Sequence, residues 1–460
     1  QKNYIKRLVG LPGETIRISR GDVYARQGDQ GEFQILRKQN PDKQKVLQQL
    51  VYDDRHAPVD LLAKGWPERW TAMERTNSVA KRNGWERDEQ GWRHDAATRS
   101  FSIDANAETK WVRYQHLLPG AVDWAAEANG AEPAKKARPQ LITDFCGYNT
   151  YTGGRSVNLD DDRFWVGDLT LNCAVEISAV SGQSPQLTFE LVEGVRRYRC
   201  QIDVTTGIAT ILRNDDLAAD PDATDVVMAS APTPVRGPGK YTFTFANVDD
   251  RLCLWVNRSW MNGGLISFGT GAEFSAPANR NPQDADLVPA GFAVQGLGAR
   301  VTNLVLQRDI YYRAESVSNE AREYERHDEE LADSLRIRET LFDPAEYGDL
   351  YSRKSREVTF GGLGGDEFFV MGDNSPRSQD SRLWPNTRHA ANRHAVPRQA
   401  LLGKAFFIYW PHGIPFLNSG KGFTVMNHAV HKQGGEPTVE TYPEYVAPFY
   451  PQWWRWKRIR

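Results

Sequence analysis

The sequence predicts a mainly β fold in which one β unit is split by a long insertion, and the insertion holds a helical segment followed by a β-sandwich. Three observations predict it. Alternating apolar and polar residues with tight turns open the chain at 1–38 and resume from 356 to 425. Many short strand-like runs separated by turn residues fill 141–312. Between them, 39–140 and 313–355 are rich in Lys, Gln, Arg, Glu and Ala, which read as helix.

The chain has 460 residues, more than one compact domain holds. Hydrophobic content of 40% and charged content of 25% suit a globular protein and argue against long disorder. A net charge of -2 gives nucleic acid no electrostatic foothold. No apolar run is long enough to cross a bilayer. The chain opens at Gln1 and enters a dense motif at once, which reads as a fragment whose membrane anchor would lie upstream. Cys146, Cys173, Cys200 and Cys253 form no CxxC pair, so zinc is disfavoured; small buried apolar residues are the preferred reading, and disulfide pairing stays open.

In order, Tyr4–Val9 reads as a strand, Gly10–Glu14 as a turn and Thr15–Ser19 as an alternating strand leading into Val23–Ala25. Over 39–140, Asp42–Tyr52 and Trp66–Arg82 read as helices, and Trp66, Trp70, Trp85, Trp92, Trp111 and Trp124 as packing anchors rather than a sugar-stacking platform. Strands are expected at Leu169–Ile177, Gln186–Leu191, Arg197–Val204, Ile208–Leu212, Lys240–Ala246, Leu252–Asn257, Gly291–Gln295 and Arg300–Gln307, with hairpin turns at Thr205-Thr206-Gly207 and Val248-Asp249-Asp250. Glu320–Arg338 reads as a solvated helix, and Arg356–Phe360, Glu367–Met371 and Ala405–Trp410 as strands. The tail, 426–460, ends in Trp453-Trp454-Arg455-Trp456-Lys457-Arg458, which suits a membrane interface or a last packed strand about equally.

Two segments carry chemistry. In Tyr4-Ile5-Lys6-Arg7-Leu8-Val9-Gly10-Leu11-Pro12-Gly13-Glu14, a lysine stands in an apolar strand. Burial disfavours the charged amine, so a desolvated Lys6 would drop from about 10.4 toward the range where it can take a proton from a serine hydroxyl. The bland alternative is an edge-strand lysine in water. In Gly372-Asp373-Asn374-Ser375-Pro376-Arg377-Ser378-Gln379-Asp380-Ser381-Arg382, turn-forming and charged residues crowd behind a strand; Asp373, Asp380 and Arg382 are expected to form a buried ion-pair network. The spacing is not that of an EF-hand, and the histidines form no HExxH, so no metal and no cofactor is assigned.

Both segments, in this order, resemble the signature boxes of type I signal peptidases, membrane-tethered serine proteases with a Ser/Lys dyad. Val396-Pro397 and Leu401–Ala405 resemble the strand region that follows the second box. The resemblance implies that Lys6 is the general base and that Ser378 orients it. It implies structural support of the site from Arg7, Gly372, Asp373, Asn374, Asp380, Ser381 and Arg382, with Asp380 and Arg382 as a salt-bridged pair. Tyr4 and Ile5 would line the groove where signal-peptide-bearing precursors bind as an added strand. Residues 239–258 and 290–309 resemble the concanavalin/laminin-G-like jelly roll.

The chain departs from this pattern in two ways. The nucleophilic serine belongs to a Ser-Met-x-Pro box upstream of the lysine box, and no such tetrapeptide occurs: Met73, Met228, Met261, Met371 and Met426 all lack a preceding serine. The insertion over 39–355 is far larger than in compact members. The expected activity is endoproteolytic removal of signal peptides at the extracytoplasmic side of the cytoplasmic membrane, with this polypeptide inactive alone. The alternative is a non-catalytic ligand- or carbohydrate-binding protein built on the jelly roll.

Overall fold

The computed structural model describes residues 4–38, 40–76, 82–133, 137–145, 163–215, 225–259, 261–269, 271–314, 338–352, 357–373, 375, 378–384, 394–405, 407–408, 413–415, 417, 423–431, 438–451 and 457–458. The fold is mainly β, and among the described residues every ladder is antiparallel.

The largest body is a β-sandwich. One sheet of eight strands runs β15 (Val226–Pro232), β14 (Ile208–Asn214), β13 (Arg196–Asp203), β12 (Gln186–Glu193), β18 (Ala290–Gln295), β10 (Lys110–Tyr114), β6 (Trp70–Arg75) and β7 (Trp85–Arg87). The other, of seven, runs β17 (Leu252–Val256), β16 (Gly239–Asn247), β11 (Leu169–Val180), β19 (Leu297–Arg308), β9 (Ser100–Ile103) and β8 (Arg93–Asp95), with β5 (Gln49–Asp53) also paired to β19. Period-two alternation points Leu187, Phe189 and Leu191 from one sheet and Leu171, Cys173 and Val175 from the other into a shared apolar core. At the β16–β17 hairpin, Asp249 and Asp250 both hold positive φ, 52° and 55°, the primed turn that matches strand twist. Cys173, Cys200 and Cys253 are buried free thiols; Cys146 lies outside the described residues.

The segment 39–140 is not a helical insertion. It supplies β5 through β10, so the sandwich extends well outside 141–312. Only α1 (Pro41–Leu47), α2 (Val59–Ala63) and α3 (Ala121–Ala128) are α-helical there among the described residues. The expected helix Asp42–Tyr52 starts on the Asn40 cap but stops at Leu47, because Gln49 to Asp53 pair with β19. Trp66–Arg82 looks helical in composition, yet Trp70–Arg75 is a strand held between β10 and β7. Trp66, Trp70, Trp85, Trp92 and Trp111 are buried as packing anchors, whereas Trp124 on α3 is exposed.

The split unit reassembles as expected. β1 (Arg7–Gly10), β21 (Glu367–Met371) and β22 (Val396–Pro397) form one sheet. β20 (Glu357–Phe360), β2 (Glu14–Ser19), β3 (Asp22–Gln27) and β4 (Gln34–Ile35) form another. Ile16, Ile18, Val23, Val358, Phe360, Phe369 and Met371 share one small core between them. Farther along, α4 (Pro344–Ser352) packs Tyr347 and Tyr351 against Phe164 and Trp165. The helix expected at Glu320–Arg338 lies outside the described residues except at its last residue. The tail contains a long hairpin, β25 (Phe423–His431) with β26 (Thr438–Ala447), and Lys457–Arg458 pairs with Phe407–Ile408. Trp453, Trp454, Arg455 and Trp456 are outside the described residues.

Candidate active site

The two boxes meet because β1 and β21 are neighbours: Arg7 pairs with Met371 and Leu8 with Val370. Continuing that register sets Lys6 across from Gly372. Lys6 Nζ donates to Ser378 Oγ at 2.6 Å, between residues 372 positions apart. Gly372 makes this approach possible, since a Cβ there would collide with Ser378 Oγ and stand 3.1 Å from Lys6 Nζ.

The turn after β21 is built on Asp380. Its Oδ2 accepts from Gly372 N at 3.0 Å, and its Oδ1 accepts from Arg382 N at 3.2 Å. The Arg382 guanidinium clasps both carboxylate oxygens, at 2.9 and 2.8 Å. Its other donors reach Ser375 Oγ at 2.9 Å and Ser375 O at 3.1 Å. Ser381 closes the turn onto the strand: its Oγ accepts from Val370 N, and its own N–H donates to Val370 O. Asp380, Ser381 and Arg382 are fully buried, so these bonds stand in a low-dielectric setting where a lost partner is expensive.

Burial, followed by the nearby Asp380, Arg382 and Asp373 charges, leaves the Lys6 amine below its ordinary pKa. Desolvation and Arg382 lower it, while Asp380 and Asp373 raise it. Burial pushes the Asp380 carboxyl up, but Arg382 and the amides of Gly372 and Arg382 more than reverse this, leaving it below the usual carboxylate range. The arrangement is thus a half-buried amine biased toward its neutral, proton-accepting form, held by a hydroxyl on a rigid turn.

The structure brings Lys6, Gly372, Ser378, Asp380, Ser381 and Arg382 together. Asp373 differs from expectation. It leaves the buried network and makes a bidentate pair with Arg7 at 3.0 and 2.8 Å, with 38% of the Arg7 and 46% of the Asp373 side chain exposed. Asp380 takes both carboxylate contacts with Arg382, while Asp373 faces Arg7 across the sheet edge. Tyr4 and Ile5 precede β1 and are 72% and 85% exposed. Asn374 lies outside the described residues. Ser375, which the sequence reading did not single out, is buried and is the hub of the Arg382 contacts; its place inside the second box was the available cue.

Elsewhere, Asp22, Asp168 and Asp249 bring carboxylate oxygens within 4.8 Å of one another. Arg280 already holds Asp22 at 2.6 Å, Lys38 holds Asp249, and the Asp249 amide donates to Asp168. The cluster joins β3 to the sandwich as an ion-pair junction.

Comparison with known proteins falls on the second of these segments. Residues 306–410 match the family described as Signal peptidase, peptidase S26. The similarity is to signal peptidases. Signal peptidase I of Aquifex aeolicus (strain VF5) is 46% identical over 50 residues, which is 11% of this chain and 16% of that protein's length. Solved structures give other likenesses. The carbohydrate binding module CBM66 from Bacillus subtilis is 11% identical, covering 52% of this chain and 95% of that one at a TM-score of 0.27. The CBM2 module of the Lactobacillus casei BL23 phage J-1 evolved Dit is 9% identical, covering 57% and 96% at a TM-score of 0.29. Scores this low support no statement about a ligand. No helix among the described residues is long and apolar enough to cross a membrane.

Proposed function

We propose that this chain is the greater part of a signal peptidase I, in which Lys6 serves as general base for a serine supplied from outside these residues. The observation that carries the reading is the 2.6 Å contact between Lys6 Nζ and Ser378 Oγ, with the amine below its ordinary pKa. A neutral Lys6 takes the proton as the serine oxygen bonds to the peptide carbonyl carbon. It then returns that proton to the departing amine as the C–N bond breaks, leaving an acyl ester. Lys6 next takes a proton from water, whose oxygen attacks the ester carbon, and gives that proton to the serine oxygen as the ester C–O bond breaks, restoring the hydroxyl and the neutral amine. Ser378 holds the amine in line and does not itself attack. β1 is an edge strand of its sheet, which supports a precursor segment adding alongside Tyr4 and Ile5 as an extended strand. The reading places the site on the extracytoplasmic side of the cytoplasmic membrane.

The test uses the chain together with the residues encoded ahead of Gln1. A Ser-Met-x-Pro there after a hydrophobic span supports the reading. Lys6→Ala in that protein lowers cleavage of a signal-peptide substrate by about 10²–10⁴-fold. Unchanged cleavage by Lys6→Ala, or cleavage by Gln1–Arg460 alone, overturns the assignment. Absence of such a box favours the alternative of a binding protein built on the sandwich.

A further inference from the structure

The catalytic turn is also bonded from a direction that neither box contains. Five residues separate the end of the sandwich's last strand, β19, from Ala314, and Arg313 is the last of them. The Arg313 N–H donates to Ser375 Oγ at 2.9 Å, and the Arg313 carbonyl accepts from Arg382 Nη1 at 3.0 Å. The same Ser375 Oγ accepts from Arg382 Nη1 at 2.9 Å, so backbone and turn close a small ring of bonds. What fixes the Arg313 backbone is its own side chain. Nε and Nη2 both reach Asp144 Oδ2 at 2.8 Å, and the guanidinium lies 4.9 Å from the centre of the Phe164 ring. Asp144 is itself immobilised, because its Oδ1 accepts from Arg163 N at 2.9 Å and Phe164 N at 3.1 Å. Arg313 and Asp144 are both almost completely buried.

Neither residue touches Lys6 or Ser378. We infer that the Asp144–Arg313 ion pair is a positioning device that holds the 372–382 turn against Lys6 and makes the inserted sandwich part of the site's geometry. The inference rests on reading Lys6 as the general base. Its physical content is a relay of discrete bonds. Asp144 sets the Arg313 backbone, that backbone completes the partners of Ser375 and Arg382, and Arg382 sets Asp380 and through it Gly372. Ser378 stands three residues from Ser375 and so inherits the order of the turn. If the relay is cut, water reaches the amine, and the desolvation that disfavours its charged form relaxes. Among the described residues, the charged groups that act on that amine are Asp380, Arg382 and Asp373.

The experiment measures the pH dependence of Lys6 acylation by a small amine reagent, read peptide by peptide in the intact chain. It compares wild type, Asp144→Asn, Arg313→Gln, Arg313→Lys and Ser375→Ala. The wild-type amine titrates below its ordinary value. Asp144→Asn and Arg313→Gln move it upward by about one unit, a tenfold change in neutral fraction at a fixed lower pH, while Arg313→Lys retains most of the wild-type behaviour. Ser375→Ala cuts the same relay from the turn side and gives the same shift without altering the sandwich, so it decides the matter if the sandwich variants do not fold. In the double variant Asp144→Asn/Ser375→Ala the shifts do not add. A wild-type titration at the ordinary value overturns the general-base reading itself. A lowered wild-type value that Ser375→Ala, or any folded Asp144 or Arg313 variant, leaves in place overturns the positioning role alone.

Discussion

Two buried carboxylates, Glu190 in the sandwich and Asp380 in the turn, are both held by arginine and have different jobs. Glu190 sits on β12 and faces away from the sandwich core. It accepts from Arg113 Nη1 at 2.6 Å, Arg199 Nε at 2.8 Å and Arg75 Nη2 at 3.2 Å, with Arg197 Nε at 3.3 Å. Those cations come from β6, β10 and β13, so one carboxylate stitches strands that are distant in sequence. Gly291 on the intervening strand leaves room, since a Cβ there would stand 2.5 Å from Arg113 Cδ. Asp380 instead bonds its own neighbourhood, the amides of Gly372 and Arg382 and the Arg382 guanidinium. In both, burial raises the carboxyl and the arginines drive it below the usual range. Burial and pairing therefore do not distinguish function from framework. What distinguishes them is the neighbour: Asp380 borders an amine held below its ordinary pKa, and Glu190 borders arginines.

That contrast can be broken experimentally. Glu190→Gln leaves four guanidiniums without their carboxylate. Denaturant unfolding should show a loss of about 3–5 kcal/mol, as for other broken buried pairs, while the Lys6 titration stays where it was. A small loss would mean that the arginine cluster is already neutralised by other groups. Gly372→Ala should do the reverse. Its Cβ pushes Ser378 off Lys6, and cleavage by the full protein should fall about 10²-fold, the scale of a misplaced reacting group, with little change in the sandwich. The pH profile sharpens the same point. Only the neutral amine accepts a proton, and its pKa is lowered, so the rate should climb with pH through that lowered value and level off below the ordinary lysine range. A rate still rising beyond 10.5 would contradict it. The smallest effect belongs to the solvent-facing Arg7–Asp373 pair, where a double-mutant cycle on unfolding should give about 0.2–1 kcal/mol of coupling.

The two boxes were legible through their resemblance to signal peptidase motifs; taken alone, Lys6 reads equally as an edge-strand lysine and 372–382 as a polar turn. Their adjacency on β1 and β21 is visible only once the chain folds. Strands such as Gln186–Glu193 and Gly239–Asn247 were legible from strict alternation, to within two residues at either end. Trp70–Arg75 was not. In Trp-Thr-Ala-Met-Glu-Arg the last four residues favour helix, and pairing with β10 and β7 makes the segment a strand. Asp373 was assigned to the wrong network because sequence distance cannot show that Arg7 waits across the sheet edge. Asp144 was invisible for the same reason: its partner Arg313 is 169 positions away, and neither lies in a motif.

The central claim concerns one amine. Nitrogen-detected NMR titration of the Lys6 side chain in the wild-type chain tests it without substrate or nucleophile. The account predicts a midpoint clearly below 10.5, the ordinary lysine value. A midpoint at or above 10.5 would mean that Lys6 is a charged lysine hydrogen-bonded to a serine, with no capacity to start the chemistry assigned to it.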